Sequence, residues 1–174
     1  PKLTFKQAID FAINAKRAEG VRDRTLTDYE KHSRYFFNWL NQAHPEIQYI
    51  HEITAIVIRD YINYMKYDAK RYDGHKYIDA NKQRIGLSDV TINIRLRTLR
   101  ALFNQLKRDE LIEINPFEQI RPIREDIDLT NCLDDEEVKA ILAQPNQRDF
   151  VGFRDYVAIV LLLDTGLRIS ELLS

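Results

Sequence analysis

A chain of 174 residues, 44% hydrophobic and 30% charged, has room for one domain and part of a second, with enough apolar mass for a real core. Five glycines and five prolines argue against disorder, the single cysteine (Cys132) excludes an internal disulfide framework, and the apolar run at 156–163 is far too short to span a bilayer. The net charge of −1 hides an asymmetry: residues 1–124 carry 22 Lys and Arg against 16 Asp and Glu, whereas residues 125–174 carry 4 against 11.

In chain order the pattern is helical. Thr4-Phe5-Lys6-Gln7 is a capping-box pattern that opens a helix to about Glu19, with Gly20 after it. A second helix is predicted from about Thr25 to Gln42, because Leu26, Tyr29, Phe36, Phe37 and Leu40 recur at helical spacing. A third runs from a Thr54 cap to near Asp68, with Ile58, Tyr61, Ile62 and Met65 inward. Residues 68–87 hold Lys70, Arg71, Lys76, Lys82 and Arg84 around Gly74 and Gly86, which reads as a basic loop or a short hairpin. Ser88 caps a fourth helix to about Glu110, and Pro116 limits its continuation. From Glu118 to Asn131, Pro122 and the acids Glu125, Asp126 and Asp128 fit either an extended linker or a loop packed on one compact domain. Asp134 then caps a helix whose first turn is acidic.

The fourth helix is the strongest nucleic-acid candidate. At about 100° per residue, Ile92, Leu99, Leu102, Phe103 and Leu106 share one side. Asn93, Arg97, Arg100, Asn104, Lys107 and Arg108 share an arc opposite much of it, with no acid between Asp89 and Asp109. Asn and Arg can bond base edges bidentately, and Arg and Lys serve phosphates. The same face also suits an ordinary solvated helix. On the second helix Arg24, Thr25, Thr27, Lys31 and Arg34 form a weaker candidate, interrupted in sequence by Asp28 and Glu30. His32, His44, His51 and His75 lack metal-ligand spacing, so neither metal nor cofactor is expected.

Near the end, the apolar run Tyr156 to Leu163 suits a helix buried on most sides, and Gly166 is placed to end it. Arg168 follows, in the first turn of another helix, where a cation opposes the helix dipole. Two readings are open: Arg168 awaits an anionic ligand, or it pairs with Glu171 three residues on.

Thr165-Gly166-Leu167-Arg168-Ile169-Ser170-Glu171-Leu172 resembles the first conserved box of the tyrosine recombinases, the phage-integrase family. Leu133-Asp134-Asp135-Glu136-Glu137-Val138 resembles the opening of that family's catalytic domain, and Asn115-Pro116-Phe117 the end of its core-binding domain. Thr25 with Tyr29, and Thr91 with Asn93 and Leu96, resemble the pattern on its two DNA-facing helices.

The resemblance implies an all-α chain: a four-helix SAM-like core-binding domain over 1–117, a linker over 118–131, and over 132–174 the first helices of a truncated catalytic domain. It implies double-stranded DNA at an attachment or recombination site as partner, with Thr91 added to the contact residues. Intact members act as four protomers on two duplexes. They cut by tyrosine attack on a phosphodiester, through a 3′-phosphotyrosyl link and without metal. Arg168 matches the first phosphate-binding arginine, and Glu171 a supporting carboxylate. The family's nucleophilic tyrosine and remaining catalytic groups follow that box, so these 174 residues alone are expected neither to cut nor to rejoin DNA; a helical DNA-binding regulator and a helical protein-interaction module without recombinase chemistry are the alternative readings. A cytoplasmic setting and no membrane are the simplest expectations.

Overall fold

The computed structural model describes residues 2–70, 85–125 and 132–174. They form seven α-helices: α1 (Phe5–Ala18), α2 (Asp23–Ala43), α3 (Ala55–Tyr67), α4 (Asp89–Arg108), α5 (Asp135–Leu142), α6 (Phe150–Thr165) and α7 (Ile169–Leu172). A 3₁₀ turn, Ile50–Glu52, precedes α3. The described residues contain no strand, only isolated antiparallel bridges at Thr4–Tyr49 and Lys70–Ile85. The basic loop or hairpin expected within 68–87 lies largely outside the described residues. Contacts divide the chain into two units, Pro1–Asp126 and Ile127–Ser174.

In the first unit each helix follows from its apolar stripe. α1 opens with the expected box: the Gln7 N–H donates to Thr4 Oγ1 at 3.4 Å, and the Thr4 N–H to Gln7 Oε1 at 3.1 Å. Its buried face is Phe5, Ala8, Ile9, Ala12 and Ile13, and the two alanines let α2 and α4 pack close. α2 begins two residues earlier than predicted, at Asp23, an acid favoured in a first turn. Leu26, Phe36, Trp39 and Leu40 are buried, whereas Tyr29 and Phe37 are half-buried at the core's margin. An aromatic cluster joins α2 to α3. The Tyr61 ring meets Phe36 edge-on with centroids 4.9 Å apart, and Trp39 at 4.9 Å. Thr54 precedes α3 as expected but makes no side-chain cap bond.

α4 is the central helix, packed on α1, α2 and α3. Ile92, Leu96, Leu99, Leu102, Phe103 and Leu106 are all buried. Ser88 accepts from the Thr91 N–H at 3.3 Å, as a cap should. The helix ends at Arg108, where Glu110 turns left-handed (φ 57°) and the Leu111 N–H returns to the Leu106 carbonyl at 2.9 Å.

Residues 118–125, expected as the start of an extended linker, instead pack on α4. Ile112, Phe117 and Ile120 are buried, and Phe117 lies 5.1 Å from the Phe103 ring. The apolar spacing 117, 120, 123 is what holds this segment down, so the first unit runs to Asp126 rather than to Phe117.

In the second unit, the Asp134–Glu137 capping box forms, with bonds of 2.8 and 3.0 Å. α6 is capped by Asp149, which accepts from the Gly152 N–H at 2.7 Å. Gly166 ends α6 in the left-handed region (φ 65°), as predicted. The expectation that α6 is buried on most sides is not met. Phe150, Val151, Phe153, Val157, Leu161 and Leu163 are exposed, and Gly152 alone is buried on this helix. The described partners within this unit are the eight-residue α5 and the four-residue α7, too little surface to cover a sixteen-residue apolar helix.

Candidate nucleic-acid interface

The polar arc of α4 divides into two parts. One flank faces the segment 115–125. Asn93 is 5% exposed. Its Nδ2 donates to the Ile123 carbonyl at 2.8 Å and to Glu125 Oε1 at 2.7 Å, and its Oδ1 accepts the Ile123 N–H at 2.9 Å. Arg100 donates to the Ile120 carbonyl, Asn104 accepts from Asn115 Nδ2 at 2.6 Å, and Lys107 pairs with Glu118. Arg108 pairs with Glu19 of the α1 C-terminus at 3.3 Å.

The other flank is open. Arg97 is exposed, with no hydrogen bond or ion pair to the described residues, and Val90 and Ile94 are exposed near it on the same helix. A cavity of about 280 Å³ lies between α4 and the 115–125 segment, lined by Asn93, Leu96, Arg97, Arg100, Pro122, Ile123 and Glu125. Thr91 is held at the helix start, its hydroxyl 2.8 Å from that of Ser88.

On α2, Arg24, Thr25, Thr27, Lys31 and Arg34 are all exposed. Arg24, Thr27, Lys31 and Arg34 recur at helical spacing within about an 80° arc. Asp28 and Glu30 interrupt this set in sequence but fall on either side of the stripe. Glu30 is turned toward Arg17 at 4.0 Å. Thr27 Oγ1 donates to the Asp23 carbonyl at 3.0 Å, whereas Arg24, Lys31 and Arg34 have no partner among the described residues.

Two cross-contacts set α2 antiparallel to α4. His32 Nδ1 lies 3.0 Å from Thr98 Oγ1, and the Arg95 guanidinium stacks 4.4 Å over the Tyr35 ring. These four residues form the seam between the two exposed faces, and the apolar period does not single any of them out. A signal is present nonetheless: Thr91, Arg95 and Thr98 follow at helical steps beside the apolar stripe. Burial, then Arg95, hold the His32 pKa below its ordinary value. Tyr61 lies under the seam, its phenol pushed up to about 12 by burial, with Arg95 acting in the opposite sense. It is a core residue. Tyr29 and Tyr156 are half-buried.

Arg168 is the N-cap residue of α7, one position before the predicted first turn. Its side chain is 82% exposed, and Nη1 lies 3.2 Å from Glu171 Oε1. Glu171 Oε2 accepts the Arg168 N–H at 2.9 Å. The carboxylate thus relieves the unfavourable cation at the helix start. Among the described residues no helix is long and apolar enough to cross a membrane.

Comparison with known proteins finds relatives over most of the chain. The family model described as Phage integrase SAM-like domain matches residues 4–123. The tyrosine recombinase XerD of Shewanella oneidensis is 27% identical over 155 residues, covering 89% of this chain and 45% of that protein. The tyrosine recombinase XerC of Chlamydia trachomatis is 35% identical over 82 residues, covering 47% of this chain and 26% of that protein. This chain therefore spans less than half the length of these relatives. A structure of the Tn1549 transposon integrase in complex with a circular intermediate DNA superposes with a TM-score of 0.65 at 26% identity, covering 98% of this chain and 47% of that one.

Proposed function

The chain belongs to the tyrosine recombinase family through its phage-integrase SAM-like domain, and on that premise we propose that its first unit grips double-stranded DNA for site-specific recombination. The observation that carries this reading is the pair of exposed cationic surfaces on adjacent antiparallel helices: Arg24, Lys31 and Arg34 on α2, and Arg97 on α4, all without protein partners among the described residues. Unpartnered guanidinium and ammonium groups on one side of a rigid bundle are what a phosphate backbone requires. The Tn1549 integrase neighbour is itself a DNA complex, which supports the same assignment here.

In this reading Arg97 reaches DNA from the open flank of α4, beside the cavity that borders the 115–125 segment, and Arg24, Thr25, Thr27, Lys31 and Arg34 track a phosphate strand. Thr91, at the helix entrance, stands at the rim. Asn93, Arg100, Asn104 and Lys107 support the surface by holding the 115–125 segment, and Arg108 braces α4 against α1. Arg168 serves the intact recombinase by neutralising two nonbridging oxygens of the phosphorane, a geometry that guanidinium matches and ammonium does not. Glu171 holds that arginine at its helix start. Attachment-site recognition and a tetrameric synapse belong to the same proposal.

Duplex-binding titrations by fluorescence anisotropy test it. Affinity should fall steeply as salt rises, with a slope of about −0.9 per neutralised phosphate. Replacing Lys31, Arg34 and Arg97 together with alanine should flatten that slope by about two units or more, on the order of 0.9 for each phosphate no longer neutralised. A slope unaltered by the triple variant removes this face from the interface.

A further inference from the structure

We infer that Val90 and Ile94 read thymine methyl groups on the floor of the major groove, and so bias the first unit toward A·T pairs. This role rests on the reading that the first unit grips duplex DNA. From Asp89 to Phe103, the exposed side chains of α4 are Val90, Ile94 and Arg97. Val90 is 48% and Ile94 45% exposed, and the three fall within about a 60° arc. Single exposed apolar side chains are ordinary on a folded surface. Here two share one helix face, beside a cation without a partner among the described residues. The fold does not account for them: neither packs against the core, and β-branched side chains lose χ1 freedom in a helix.

The neighbouring helix shows a face suited to phosphates alone. Its stripe is Arg24, Thr27, Lys31 and Arg34, and no large apolar side chain of α2 is exposed. The face of α4 instead mixes one guanidinium with two aliphatic groups. Phosphate oxygens give an aliphatic group nothing to pack on. The major groove does: it admits an α-helix, and each thymine presents its C5-methyl there. Four residues of helix rise about 6 Å, against about 3.4 Å per base-pair step. The two side chains therefore reach methyls within about two steps of one another. Their stiffness helps, because little rotamer freedom is left to lose on contact. Arg97, three residues after Ile94, anchors the same face to a phosphate.

The test uses the whole chain and two duplexes of one A·T-rich sequence, one with thymine and one with uracil in its place, titrated by fluorescence anisotropy. Uracil keeps the pairing, the phosphates and the hydrogen-bonding groups of the groove, and lacks the methyl. A covered methyl contributes about fourfold in affinity, so the parent should bind the thymine duplex on the order of tenfold tighter. In the double variant Val90→Ala, Ile94→Ala that preference should vanish, with the salt slope unaltered because no phosphate contact is lost. Each single variant should lose about fourfold of the preference, which decides the matter if the double variant folds poorly. Equal binding of both duplexes by the parent, with a steep salt dependence, overturns the role of the pair and leaves the DNA reading standing. A thymine preference kept in full by both single variants also overturns it. Failure to bind either duplex removes the DNA reading itself, and the role of the pair with it. A sedimentation coefficient that falls in the double variant gives this face to a second copy of the chain and overturns the assignment to thymine.

Discussion

Thr98 has one hydroxyl proton, and it is donated to the Ile94 carbonyl at 2.9 Å. The same oxygen must therefore accept from His32, which assigns the Nδ1–H tautomer to the imidazole 3.0 Å away. Burial and the nearby Arg95 both disfavour an imidazolium here, so the folded pKa lies below the ordinary 6.5. Between those two values the unfolded chain binds more protons than the folded one. His32 therefore gives its full contribution above about 6.5, and that contribution is lost as pH falls toward the lowered value. Melting at pH 7.5 and 5.5 should show a smaller pH dependence in His32→Gln than in the parent chain; an equal dependence would exonerate this residue. Two glycines give a second prediction at this scale. A Cβ on Gly86 (φ 83°) would stand 2.3 Å from the Lys66 carbonyl oxygen, whereas one on Gly166 (φ 65°) would meet nothing within 4 Å. Gly166→Ala should lose only the left-handed backbone penalty, about 1 kcal/mol. Gly86→Ala adds a backbone clash and should lose about 2–4 kcal/mol by urea unfolding.

α4 shows what a helical period can and cannot reveal. The period identifies its buried stripe residue by residue, because apolar side chains have one favourable place to go. It cannot divide the polar arc, since Asn, Arg and Lys bond a backbone carbonyl as readily as a phosphate. The segment that covers half of that arc arrives about twenty to thirty residues later, at Ile120 and Ile123. α2 misleads in the opposite sense: Asp28 and Glu30 break its basic set along the sequence but not around the helix. The Arg168–Glu171 pair was legible because both partners lie on one turn. This division of α4 carries its own prediction. Arg97→Ala should lower the salt slope of duplex binding by about 0.9 and leave stability unaltered within roughly 0.5 kcal/mol. Arg100→Ala should destabilise the first unit by about 1–2 kcal/mol, because it frees the Ile120 carbonyl. Equal effects of the two variants on both readouts would contradict the division.

At the scale of the whole chain, the two units differ sharply in what they bury. The first encloses Tyr61, Phe36, Phe103, Phe117 and many aliphatic side chains drawn from four helices and the 115–125 segment. The second leaves Phe150, Val151, Phe153, Leu161, Leu163, Ile169 and Leu173 exposed. Burial of apolar area is the main favourable term in folding, about 25 cal/mol per Å², so the second unit should be the weaker one. Its exposed apolar surface also favours self-association. The only tryptophan, Trp39, lies in the first unit and is 7% exposed. Fluorescence therefore reports on one unit and far-UV dichroism on both. In urea, dichroism should fall in two steps, with the fluorescence change confined to the second, because non-coincident probes mark a departure from two-state unfolding. A DNA duplex bound by the first unit should move the later step to higher urea and leave the earlier one in place. Coincident transitions by the two probes would show instead that the chain unfolds in one step, and would contradict the ranking of the two units by what they bury.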